Sequence, residues 1–271
     1  MKKCLYFIQI LALISLLNCK STSHHRQLDS EIQSYKKILN KIKRNELYYT
    51  QGLFFDSSNT VIESGGLYGE SVLVKMEYPS MTILKKVKLD NKYFAEGTTK
   101  CGNHIFQLTW QNRAILKYSY PALELLDTVP LDDQIKEGWG LTTDGNIMYV
   151  TDGTNNIYYL DCNTLKVTNF VSVNQNNTPI NYLNAMVYVN GFIYANKYFD
   201  NRIFKINPNS GEVVQVYDMN FLINEEFRSN TLNRLRLSSG DVLNGIAYNS
   251  SKKVFVVTGK KWGFYYEVNF N

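Results

Sequence analysis

From residue 51 onward, short apolar runs alternate with polar turn clusters at a nearly constant interval. Each unit opens on a similar anchor: Gln51-Gly52-Leu53, Glu96-Gly97-Thr98, Trp139-Gly140-Leu141, Asn184-Ala185-Met186 and Asn244-Gly245-Ile246. The steps between anchors are 45, 43, 45 and 60 residues. After each anchor come a strand, a turn, an apolar strand, a turn, a third strand and usually a fourth. In the third unit these are Gly140-Leu141-Thr142, Ile147 to Thr151, Ile157 to Leu160 and Val167 to Val173, with Asp144-Gly145 and Asp161 to Asn163 as turn residues. A period near 45 with four strands per unit marks propeller blades. Five anchors predict an all-β, five-bladed β-propeller.

The ends of the chain fit a closed ring. The fifth unit supplies strands at Gly245 to Tyr248, Val254 to Thr258 and Phe264 to Phe270, and lacks an outer strand. The segment Tyr35 to Ile42 has apolar residues spaced for a strand or a short helix; as a strand it completes the last blade and removes a bare edge. The 60-residue step contains an insertion over Asp218 to Asp241, with Phe221, Leu222, Phe227, Leu232, Leu235 and Leu237 in a weak helical pattern. A surface loop with one helical turn is the default expectation there, and a lid over the anchors is the alternative.

Antiparallel pairing puts the start of each first strand beside the end of the second. In the hairpin from Tyr93 to Trp110, Glu96 and Trp110 therefore share a strand-end rim, where an acid near a large apolar ring can exchange protons near neutrality. The starts of first strands bring Gln51, Glu96, Trp139, Asn184 and Asn244 to that rim. The ends of second strands add Gly65-Gly66, Trp110, Thr151-Asp152, Tyr198 and Lys260. Amides, one acid, one lysine and several aromatics converging at an axial opening suit a small polar ligand. Turn capping by the Asn residues and packing between blades by the Trp residues are the plainer readings of each position taken singly.

Composition narrows the chemistry. With 14% aromatic and 44% apolar residues in 271, the chain can fill one large β domain, and its net charge of +5 is scattered among acids without a basic stripe. Nucleic acid is therefore not an expected partner. Outside the N-terminal tail the sole histidine is His104, so histidine metal sites and Ser-His triads lack their parts. Asp152 beside axial carbonyls offers a structural cation a place in the central channel, without a specific spacing.

Met1-Lys2-Lys3 followed by an apolar run from Leu5 to Leu17 reads as an export signal too short to span a bilayer. Leu16-Leu17-Asn18-Cys19 resembles a bacterial lipoprotein box, with Cys19 as the lipid-bearing residue; ordinary secretory cleavage is the alternative. The expected organisation is a signal and lipobox over 1–19, a flexible tether over 20–34 spanning roughly 20 Å, and the propeller over 35–271. His24 and His25 fall in the tether and are expected to be solvated. The chain is then exported and held by its lipid on a membrane facing the periplasm or cell exterior. Cys101 and Cys162 fall in predicted turns 61 residues apart; free thiols are the expectation, with pairing the alternative in an exported protein.

Several of these stretches together resemble the plant and bacterial glutaminyl cyclases, five-bladed propellers that convert N-terminal Gln to pyroglutamate. The resemblance covers about residues 47 to 268. It rests on Tyr49-Thr50-Gln51-Gly52-Leu53, Glu63-Ser64 through Leu67-Tyr68-Gly69, Glu96-Gly97 and Gln107-Leu108-Thr109-Trp110. It continues through Glu137-Gly138-Trp139-Gly140-Leu141-Thr142, Leu243-Asn244-Gly245-Ile246-Ala247 and Val257-Thr258-Gly259-Lys260. The resemblance implies Glu96 as catalytic acid/base, with Tyr49, Gln51, Trp110, Trp139, Asn184, Tyr198 and Lys260 lining the substrate pocket. It implies a glutaminyl-peptide cyclotransferase that needs no cofactor, acts on peptides or proteins with N-terminal Gln, and works as a monomer.

The chain departs from that pattern in places. Asn184-Ala185-Met186-Val187 stands where the family usually has Asn-Glu-Leu-Glu, Tyr198 replaces a usual Trp and Tyr49 a usual Phe. Ile42-Lys43-Arg44-Asn45 stands where Pro-His-Asp is common. The competing reading is a non-catalytic propeller lipoprotein that binds peptide N-termini or another small ligand.

Overall fold

Side chains along a strand point alternately to its two faces, so a middle strand of a blade can feed two cores at once. In the computed structural model, which describes residues 37–270, this alternation builds the whole molecule. The signal and lipobox with Cys19, the tether, and the start of the Tyr35–Ile42 segment lie outside the described residues.

The chain enters through β1 (Ile38–Lys43). Blade 1 is β2 (Thr50–Ser57), β3 (Thr60–Gly65), β4 (Val72–Glu77) and β5 (Ile83–Lys88). Blade 2 is β6 (Ala95–Cys101), β7 (His104–Thr109), β8 (Ala114–Ser119) and β9 (Leu125–Pro130). Blade 3 is β10 (Leu141–Thr143), β11 (Ile147–Thr151), β12 (Asn156–Asp161) and β13 (Val167–Ser172). A two-residue pair, β14 (Asn174–Gln175) and β15 (Thr178–Pro179), leads into blade 4: β16 (Leu183–Val189), β17 (Phe192–Lys197), β18 (Arg202–Ile206) and β19 (Val213–Asp218). Blade 5 holds β20 (Leu243–Asn249), β21 (Val254–Gly259) and β22 (Phe264–Val268), and its fourth strand is β1, in the order β1-β22-β21-β20. The N-terminal segment is thus a strand, paired antiparallel from Ile38 opposite Val268 to Lys43 opposite Phe264, and it closes the ring.

Cores lie between successive sheets. Val61 and Val74 of blade 1 pack with Val256 and Tyr265 of blade 5, while their neighbours Ile62 and Leu73 pack with Ile105 and Leu116 of blade 2. Val150 faces blade 2 and the adjacent Tyr149 faces blade 4 in the same manner. The innermost strands β2, β6, β10, β16 and β20 each touch the next around the axis. That approach is close enough to explain the glycine that follows several anchors: a Cβ on Gly140 would stand 1.8 Å from the Asn184 carbonyl oxygen, and one on Gly97 would stand 2.4 Å from the Leu141 nitrogen.

Two expectations are corrected. The insertion is more ordered than a loop with one turn: α1 (Asn220–Arg228) is followed by α2 (Arg234–Ser238). Leu222, Ile223 and Glu226 of α1 are buried, and the Glu226 carboxylate accepts from Gly263 N, Phe264 N and the Tyr266 hydroxyl. Blade 5 thereby fixes the insertion through partners far away in sequence. Cys101 and Cys162, expected as free thiols, form a disulfide with Cα atoms 6.1 Å apart, inside the range such a bond requires. Cys101 ends the first strand of blade 2 and Cys162 lies in the turn between the third and fourth strands of blade 3. Both turns fall on the same end of the propeller, so the repeat brings together residues that are distant along the chain.

Candidate active site

One backbone hydrogen bond recurs in four blades and positions the site. The residue just after the second strand donates its N–H to the carbonyl two residues before the anchor: Gly66 to Tyr49, Trp110 to Phe94, Tyr198 to Tyr182 and Lys260 to Val242, at 2.8 to 3.0 Å. In the first hairpin of blade 2 this sets Trp110 opposite Phe94, with an irregularity in the ladder between Ala95 and Thr98. Glu96 falls in that irregular stretch and shares the cavity wall with Trp110.

These ends enclose a cavity of about 240 Å³, lined by Gln51, Glu96, Asn184 and Lys260 and walled by Tyr49, Phe94, Trp110, Trp139 and Tyr198. Glu96, Tyr49, Gln51, Trp110, Trp139, Asn184, Tyr198 and Lys260, all expected from the sequence, thus meet in one place. Asn244 stands behind the wall: its Nδ2 donates to Gln51 Oε1 at 2.9 Å and to the Thr50 carbonyl at 2.9 Å. With its oxygen so engaged, Gln51 presents Nε2 to Glu96 Oε1 at 2.9 Å. Asp152 does not line the cavity. Its Oδ1 accepts from the Thr154 N–H and hydroxyl and its Oδ2 from the Lys136 N–H, and no cluster of three or more metal-ligating side chains occurs among the described residues.

The aromatic walls are fixed edge to face. Phe94 meets Trp110 at 5.6 Å and Tyr49 at 6.2 Å between ring centroids, and Trp139 meets Tyr198 at 6.1 Å. Gly153 lets Trp139 lie flat against the chain: its φ is +82°, and a Cβ there would stand 2.8 Å from the indole. Lys260 Nζ sits 4.7 Å from the ring centroids of both Tyr49 and Tyr198, a cation–π seat for a buried ammonium. Tyr198 in place of a tryptophan keeps this wall aromatic.

Electrostatics single out two groups. Burial pushes the Glu96 carboxyl well above the usual carboxylate range; the Lys260 charge pulls it back down, and the Glu137 carboxylate adds to the rise. Burial lowers Lys260 to about 8, with Glu96 and Asp241 opposing that shift. Glu96 Oε2 and Asn184 Oδ1 are both buried without a hydrogen-bond partner among the described residues. Both residues line the same cavity, so donors of a ligand seated there would reach these two oxygens.

Two members of the site were not foreseen. Phe94 lines the cavity, and the single oxygen Glu137 Oε2 accepts both indole N–H groups, from Trp110 at 2.6 Å and Trp139 at 2.9 Å. The repeat carried a signal for both. Tyr49, Phe94 and Glu137 each stand two residues before an anchor, so extending the alignment of the units by two positions would have found them.

Comparisons with known proteins agree with the fold. A family model described as glutamine cyclotransferase matches residues 10–270. The chain is 35% identical over 224 residues to a glutaminyl-peptide cyclotransferase of Arabidopsis thaliana, covering 81% of this chain and 66% of the plant protein. It thus spans just under two thirds of that relative's length. Among solved structures, the glutaminyl cyclase of Myxococcus xanthus superposes with a TM-score of 0.76 at 26% identity, over 86% of this chain and 95% of that one. The family match covers nearly the whole chain, and this chain belongs to the glutamine cyclotransferase family.

Proposed function

We propose that this protein is a glutaminyl-peptide cyclotransferase, converting an N-terminal glutamine to pyroglutamate with release of ammonia. The observation that carries the reading is the pair of open, buried acceptors, Glu96 Oε2 and Asn184 Oδ1, on a small aromatic-walled cavity. An N-terminal Gln brings N–H donors at both its α-amine and its γ-carboxamide. The aromatic walls hold its side chain folded so that the amine nitrogen meets the Cδ carbon, which lowers the entropic barrier to ring closure. The new N–Cδ bond closes the lactam, and the carboxamide nitrogen leaves as ammonia. Glu96 takes the proton that the amine sheds and returns one to the leaving nitrogen; a carboxyl raised by burial is suited to both steps. The Gln51 and Asn184 amides and the Lys260 ammonium supply positive ends to the carbonyl oxygen as it gains charge. Substrate and Glu96 account for every proton in this route, so it calls for no cofactor.

Two departures from the family pattern, Tyr49 and Tyr198, keep aromatic rings on the cavity wall, and those that follow Asn184 lie away from it. Ala185 and Met186 are buried, and Val187 borders a separate cavity that Thr99, Thr143 and Tyr248 also line. The test is ammonia release from a Gln-initiated peptide and from its N-acetyl counterpart. Acetylation removes the attacking amine, so release is expected from the first alone. Equal release from both means an amidase, and release from neither while the peptide binds means a binding module.

Export is part of the proposal. A lipid on Cys19 would hold the enzyme, as a monomer, at a membrane facing the periplasm or cell exterior. The Cys101–Cys162 bond suits an oxidising compartment of that kind. Cys19→Ser is expected to release the protein from the membrane fraction; a wild-type protein that is wholly soluble after export would end the lipid-anchor reading.

A further inference from the structure

A cavity of about 240 Å³ lies below the range of roughly 300–1,000 Å³ for drug-sized ligands, so it seats one terminal residue and little more. The peptide behind that residue must cross the mouth. Four aromatic side chains stand about half exposed among the described residues: Tyr68 at 49%, Phe170 at 51%, Tyr182 at 55% and Phe199 at 56%. Phe170 lies on the outer strand β13. The other three adjoin residues of the cavity wall.

Each of the three touches the lining or is bonded to it. Tyr68 sets its ring edge-on to Phe94 at 5.4 Å, and Phe199 packs on Tyr198 at 4.4 Å. The Tyr182 carbonyl accepts from Tyr198 N at 2.8 Å, and its N–H donates to the Gly153 carbonyl at 3.0 Å, beneath Trp139. Tyr182 is also the repeat equivalent of Tyr49 and Phe94, two residues before the anchor Asn184. Tyr68 comes from blade 1 and the other two from blade 4, so the three adjoin the cavity wall from non-adjacent blades.

Their backbones are held in place. Tyr182 and Phe199 have φ values of +66° and +54°, the left-handed conformation that also shapes the turns at Met81, Leu123 and Leu165. The turn that carries Phe199 is clamped: Arg202 Nε and NH2 donate to Asp200 at 2.8 and 2.6 Å, and Lys197 Nζ lies 3.6 Å from the same carboxylate. Ser71 Oγ donates to the Leu67 carbonyl at 2.8 Å and fixes the loop that carries Tyr68. Exposed rings on fixed turns bury apolar area on binding at little ordering cost.

We infer that Tyr68, Tyr182 and Phe199 form a collar that binds the residue following the N-terminal glutamine. The preferred substrates are then peptides in which that second residue is aromatic or large and aliphatic. The inference rests on the cyclase reading only for what occupies the cavity below.

The experiment compares Gln-Phe-Ala with Gln-Gly-Ala. Wild-type kcat/KM is expected to favour the Phe peptide by about three- to ten-fold, mostly through KM, as packing of one ring against others implies. The double variant Tyr182→Gly, Phe199→Gly suits the left-handed backbone at both positions, and it should bring the ratio of the two peptides close to one. Tyr68→Ser should lower the same ratio from the other side. Equal kcat/KM for both peptides in the wild type overturns the collar and leaves the cyclase reading intact. Turnover of neither overturns the cyclase reading instead, and calorimetric titration of both peptides into Glu96→Gln then decides the collar alone. A tighter Kd for the Phe peptide supports it, and equal Kd values overturn it.

Discussion

Two buried carboxylates in neighbouring blades, Glu63 on β3 and Glu96 on β6, have opposite surroundings. Glu63 is 0% exposed and fully engaged: Oε1 accepts from Arg44 NH2 at 2.6 Å and from the Thr50 hydroxyl at 2.5 Å, and Oε2 accepts from the Tyr265 hydroxyl. Arg44 also donates to Thr258 Oγ1 and to the Gly259 carbonyl. Burial works against the Arg44 charge, but the Glu63 carboxylate outweighs it and holds the guanidinium protonated. This cluster ties the segment after β1 to blades 1 and 5, where the ring closes. Glu96 is nearly as buried, yet one of its oxygens has a neutral amide donor and the other has none among the described residues. A buried acid whose oxygens are all matched can only hold structure. One left short of donors stands ready to exchange a proton.

The largest effects should separate the two. Glu96→Gln keeps shape and removes a buried ionisable group, so its melting temperature should not fall below that of the wild type. Its ammonia release should drop about 10²- to 10⁴-fold, the usual weight of a general acid–base group. An active Glu96→Gln would remove this residue from the mechanism. Glu63→Gln strands the Arg44 charge and should cost about 3–5 kcal/mol of stability, lowering Tm on the order of 10 °C. Replacing both partners with apolar residues, Arg44→Met with Glu63→Leu, should recover much of that loss. A Glu63→Gln protein that melts like the wild type would show that the cluster is not the latch.

The sequence carried the repeat but not these distinctions. Anchors, turn residues and alternation recur in every blade, so five sheets and their order could be read from spacing, and the rim residues followed from strand direction. Glu63 and Glu96 both appear as acids in β patterns, and only their partners tell them apart. Two of those partners, Arg44 and Tyr265, sit 19 and 202 residues from Glu63. The Cys101–Cys162 bond and the docking of α1 through Glu226 are contacts of the same kind, made between blades or across an insertion. Phe94 and Glu137 differ, because the repeat pointed to their position and reading only the anchors passed over it.

Lys260 sharpens the comparison, since it is the cation that Glu96 has in place of a bonded arginine. Its charge lowers the Glu96 pKa and its own is drawn down to about 8. The kcat profile of the wild type should therefore rise as Glu96 ionises and fall above about pH 8 as Lys260 loses its proton. Lys260→Met removes the charge that favours ionised Glu96, so the acidic limb should move to higher pH, and the fall assigned to Lys260 should disappear. An acidic limb that stays put, or moves lower, would uncouple the two groups.

The smallest effect concerns Glu137, which acts on the site without reaching the substrate. It does two separable things: its charge raises the Glu96 pKa, and its Oε2 holds both indoles. Glu137→Gln removes the charge and keeps an oxygen that can accept from both rings. The acidic limb should then move to lower pH, opposite in sign to Lys260→Met and by less, because Glu137 is partly exposed and screened. KM should hardly change. Glu137→Ala removes the acceptor as well, so Trp110 and Trp139 lose their common tether and KM for a Gln peptide should rise about three- to ten-fold, equivalent to about 1 kcal/mol of lost positioning. A merely structural Glu137 would instead lower Tm in both variants and leave the pH profile in place. The same sign of pH shift in Glu137→Gln and Lys260→Met would contradict the electrostatic account of Glu96 itself.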